Sequence, residues 1–101
     1  MSLDFTILNA EGSPSEWIGL DSDAHERLML LTSDDAFPLV QRASDYYAEV
    51  CYSPAELPPL LDELRAILLI ASPPLKAIVA SVAKLAEQAM HSGKPLHVLP
   101  D

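Results

Sequence analysis

Asp21-x-Asp23-x-His25 sets two carboxylates and an imidazole close together, the kind of donor set that could hold a cation. Calcium loops need a longer spaced series of oxygen donors, a glycine at a fixed place and a closing glutamate, none of which follows here. Zinc sites use three or four cysteine or histidine ligands, and no His-x-x-x-His pair is present. Position explains the two aspartates better. They stand just ahead of an amphipathic run, where a carboxylate accepts free backbone N–H groups and meets the positive end of a helix dipole. No metal and no cofactor is expected.

Cys51 is the single cysteine, and with His25, His91 and His97 it supplies the parts of a thiol–imidazole dyad. It stands between Val50 and Tyr52 in a β-like run, with no helix N-terminus directly behind it to lower its pKa, so a small packing residue is the simpler reading. There is no G-x-S-x-G elbow. Glycines at 12, 19 and 93 build neither a P-loop nor a G-x-G-x-x-G turn. Asp34-Asp35 and Asp62-Glu63 are sequence neighbours, and adjacent helix residues point about 100° apart, so neither makes a natural acid/base pair. An enzyme is not the expectation.

The richest cluster for recognition is Asp45-Tyr46-Tyr47-Ala48-Glu49. Tyrosine is rigid and amphipathic and recurs at interface hot spots. Beside carboxylates it could take a cationic side chain on its ring face and pair its charge. The alternative is that the pair belongs to the sheet, with one ring packed inward. Asp34 and Asp35 join Asp45, Tyr46, Tyr47 and Glu49 as the candidate partner-binding set.

Charge favours that reading. Fifteen acids against six bases give a net charge of −9 over 101 residues. Residues 1–65 hold 13 acids and 3 bases, while residues 66–101 hold 2 acids and 3 bases. Such a field repels nucleic-acid phosphates and anionic lipid and steers a basic protein, although acidity also serves solubility. The longest apolar run, Ala66 to Ala71, is far short of the roughly 20 residues that span a bilayer. One cysteine and no basic, apolar leader point to the cytoplasm.

These residues need elements to hold them. Leu3–Leu8 alternates as a strand, and 16–20 follows as a second across the turn-rich 9–15. Residues 21–35 read as a helix stopped by Ser33-Asp34-Asp35, and a short helix runs from Pro38 to about Ser44. A strand is expected over 47–53. Ser53-Pro54-Ala55-Glu56 spells a capping box, with one tight turn before a main helix from Pro58 to Ala71. That helix turns Leu57, Leu60, Leu61, Leu64, Ile67, Leu68 and Ala71 to one side and leaves Leu69 and Ile70 off the stripe, a candidate homodimer face. Ser72-Pro73-Pro74 starts a last helix to 91, Gly93 stops it, and 95–99 closes as a strand.

The expected fold is one α+β or compact α/β domain: three to four strands packed with three to four helices in the order β(β)ααβααβ. Strands linked through helices are expected to pair parallel. An immunity or antitoxin role against a basic toxin such as a nuclease fits that charge and size; in size and acidity alone the chain resembles barstar-type inhibitors, with no motif matching residue by residue. The expected function is therefore non-enzymatic protein binding, with a self-associating structural subunit or a small-ligand or enzymatic domain as alternatives.

Overall fold

A computed structural model describes residues 2–33 and 35–100. The elements run β1 (Leu3–Leu8), β2 (Pro14–Leu20), α1 (Ser22–Leu31), α2 (Pro38–Gln41), β3 (Val50–Tyr52), a 3-10 turn (Pro54–Glu56), α3 (Leu57–Leu68), α4 (Pro73–His91) and β4 (Leu96–Pro100). This is an α+β fold, with four strands in the order β2-β1-β4-β3 and four helices packed on the sheet.

Every strand pair is antiparallel, which corrects the expectation of parallel crossovers. The cause is the number of helices in each connection. Two helices, not one, separate β2 from β3 and β3 from β4. The chain crosses the sheet twice and returns to the end it left, so the next strand must run backwards.

Strand alternation divides the sheet into two faces. Leu3, Phe5, Ile7, Leu20, Tyr52, Leu96 and Val98 are buried against the helices. Asp4, Thr6, Trp17, Cys51, His97 and Leu99 lie on the other face, in register across the strands: Trp17 opposite Thr6, Thr6 opposite His97, His97 opposite Cys51. The helices answer with Leu28, Val40, Leu57, Leu60, Leu64, Val79 and Val82. Small residues Ala83, Ala86 and Ala89 bring the α4 backbone close to its neighbours. Packing is tight enough that the cavity between sheet and helices measures about 10 Å³, no more than a single water requires.

Local signals fix the ends. Asp21 caps α1 by accepting from the Ala24 N–H at 2.8 Å. The Ser53–Glu56 capping box forms, with the Ser53 N–H donating to Glu56 at 2.9 Å. Gly93 takes φ +66 after α4, and the Lys94 N–H reaches back to the Ala89 carbonyl at 2.9 Å, closing a Schellman stop. Four elements are shorter than the sequence suggests. α1 closes at Leu31, where the Thr32 N–H and hydroxyl both turn back to the Leu28 carbonyl. α2 ends at Gln41, α3 at Leu68, and β3 keeps only three residues because Asp45 captures the Tyr47 N–H in a turn.

Candidate partner-binding surface

The surface is built from α1 outward. His25 faces inward from the first turns of α1, and its Nε2–H donates to the Ala43 carbonyl at 2.8 Å. That bond ties the chain after α2 to α1. Tyr46 then lays its ring against the imidazole, with centroids 5.1 Å apart at 59°. Tyr47 meets Tyr46 edge-on, at 5.4 Å and 87°, and is 71% exposed. The two adjacent tyrosines therefore divide the roles between them: Tyr46 is the half-buried anchor and Tyr47 the presented ring.

Asp45 orients this turn by accepting from the Tyr47 N–H at 2.9 Å, which leaves its charge at the surface. Glu49 is exposed two residues beyond Tyr47. Glu26, next to His25, adds a third exposed carboxylate on α1. The nearest cation in the sequence, Arg42, is committed elsewhere. It lies 4.9 Å over the Tyr52 ring, pairs with Glu56 and donates to the Cys51 carbonyl at 2.9 Å.

The elements on either side of the turn, α2 and β3, are tied to each other. Tyr52 is 1% exposed and donates its hydroxyl to the Leu39 carbonyl. Burial pushes its pKa well up, and Glu63 and Glu56 add to this while Arg42 opposes it. Glu63 accepts from the Leu39 and Val40 N–H groups at 3.1 and 2.9 Å, closing the start of α2. The Glu56 carboxyl is held below its ordinary 4.5, chiefly by the Ser53 backbone N–H, with the Ser53 hydroxyl and Arg42 assisting against partial desolvation.

Asp45, Tyr46, Tyr47 and His25 thus come together, and Glu49 is exposed two residues beyond Tyr47. Asp35 is exposed in the turn after α1. Asp34 lies outside the described residues. Leu69 and Ile70 are 84% and 55% exposed at the end of α3, without the cover that the sequence reading asked for. Asp21 and Asp23 serve α1, the second through an ion pair with Arg27 at 3.1 Å.

All three arginines are spent on the chain's own acids: Arg27 on Asp23, Arg42 on Glu56, and Arg65 on Glu87 at 3.1 Å and Asp62 at 3.9 Å. Among the described residues Glu26, Asp35, Asp45 and Glu49 have no cation within ion-pair distance. The three lysines sit apart, on α4 and just after it. Sequence reasoning missed the roles of Glu63 and Arg42. Both act across 9 to 24 residues of chain, so no local pattern announces them. No family model, curated protein or solved structure matches the chain.

Proposed function

We propose that the chain is a non-enzymatic binding module that takes a basic protein partner on the Asp45–Glu49 turn. The observation that carries this is the exposed Tyr47 ring, held edge-on by Tyr46 beside the buried His25 and flanked in sequence by Asp45 and Glu49, which no cation among the described residues pairs. A preoriented aromatic ring loses little freedom on binding, and a lysine or arginine can sit on its face while pairing with Asp45 or Glu49. Glu26 extends the same negative field along α1. Inhibition of a basic toxin, as an immunity protein does, is the form of activity that suits such a surface.

The test is a capture experiment run in parallel with the native chain and a Tyr47→Ala/Glu49→Gln variant as bait, from cells of the source organism. The expected result is a basic protein that the native bait retains, releases at raised salt, and the variant fails to hold. A captured protein that is acidic, or is held equally by both baits, would overturn the proposal.

A further inference from the structure

The two edges of the sheet are not alike, and the β2 edge carries a proposal of its own. Glu16 turns its carbonyl toward β1, where the Thr6 hydroxyl donates to it. Backbone groups alternate in direction along a strand, so Trp17 and Gly19 turn their N–H and C=O away from the sheet. Pro14 and the irregularity opposite Ile7 and Leu8 blunt only the start of the strand. The rest is an open ladder, and Trp17, the midpoint of Pro14–Leu20, is 61% exposed on it.

Side chains beside this edge are complementary to themselves. Glu16, Ile18 and Lys84 line one cleft between β2 and α4, with Ser81 and Gln88. Among the described residues neither Glu16 nor Lys84 has an ion-pair partner within 4.0 Å.

We propose that a second copy of this chain adds its β2 antiparallel to this one, about a two-fold axis through Trp17. That register sets Glu16 opposite Ile18 of the second copy, and hence against the Lys84 that shares a cleft with that Ile18. The symmetry makes the same pair twice. Trp17 meets its own counterpart on the uncovered sheet face, and the four-stranded sheets join into one of eight strands. Because β2 and β3 are opposite edges of the sheet, both Asp45–Glu49 turns stay outward. The dimer would present two partner sites, and a bivalent partner would be held by avidity.

Sedimentation velocity at about 100 μM, a concentration that fills an interface of micromolar strength, tests this. The expected mass is twice the 11.0 kDa of one chain. Glu16→Lys alone and Lys84→Glu alone each weaken the dimer at least about tenfold by setting like charges together, and the double swap restores it. Both positions are exposed, so circular dichroism checks that each variant still folds. Leu69→Asp/Ile70→Asp leaves the mass unchanged. A monomer at that concentration, a double swap without recovery, or a dimer lost only in the Leu69/Ile70 variant would overturn the proposal.

Discussion

The β3 edge and the β2 edge belong to one sheet and face opposite fates. At β3 the strand is three residues long, its Cys51 carbonyl is taken by Arg42, and its Tyr52 is buried and bonded to α2. At β2 the strand is seven residues long, its central tryptophan faces solvent, and among the described residues no loop or turn backbone group bonds to the outer side of the strand around Trp17 and Gly19. A sheet edge offers unpaired donors and acceptors, and proteins cover, shorten or charge such edges to avoid unwanted pairing. This chain does all of that at β3 and little of it at β2. The consequence is a division of labour: the closed edge gives the Asp45–Glu49 turn a fixed platform, while the open edge is left to pair.

The contrast is broken most easily by truncation. Tyr52→Ala should cost about 3–5 kcal/mol in urea unfolding, the range for deleting a large buried aromatic, whereas Trp17→Ala should change the stability of the single chain by no more than about 0.5 kcal/mol. Equal losses would mean that the edges are not different in kind. Tyr52→Phe is a finer probe. It removes only the hydroxyl and strands the Leu39 carbonyl, for an expected loss of about 1–3 kcal/mol.

Titration sharpens the same point. Burial raises the Tyr52 pKa above its ordinary 10.0, so the folded state favours the neutral phenol. Its contribution is present in full below pH 10.0 and is lost as pH climbs from there through the folded value. Tyr52→Phe should flatten that alkaline loss. Glu56 works in the opposite sense: its pKa is lowered from 4.5, so its contribution holds above pH 4.5 and fades as pH falls through the folded value. Glu56→Gln should remove that acid sensitivity, read as the urea midpoint against pH. Arg42→Met should lower the urea midpoint only slightly, because its pair with Glu56 is partly open to water.

Much of this was legible in the residues themselves. Proline, glycine and capping side chains act within a few positions, so α4 runs over 73–91 as its Ser72-Pro73-Pro74 start and Gly93 stop imply. The Ser53–Glu56 box and the tight turn before α3 were equally local. Alternation set Tyr52 and Cys51 on opposite faces, and Tyr52 proves the buried one; Cys51 is exposed rather than the packing residue expected, because its side of the short β3 carries no helix. What escaped was everything decided across the chain. Pairing direction follows from how many helices each connection holds and how they traverse the sheet. The stacking of Tyr46 on His25, which decides which tyrosine is presented, depends on α1 and the turn meeting in space. The acidity of residues 1–65 also looks more uniform in sequence than in space, since three of its carboxylates, Asp23, Glu56 and Asp62, pair with the three arginines.

The central claim is that the turn at the closed edge receives cationic side chains. Titration of the isotopically labelled chain with an arginine-rich peptide, followed by amide chemical shifts, tests it most directly. The account predicts shifts centred on Asp45, Tyr46, Tyr47 and Glu49, spreading to His25 and Glu26, and collapsing as salt is raised. Shifts centred instead on Glu11, Asp35 or the Leu69–Ile70 corner, or none at all at low salt, would contradict it.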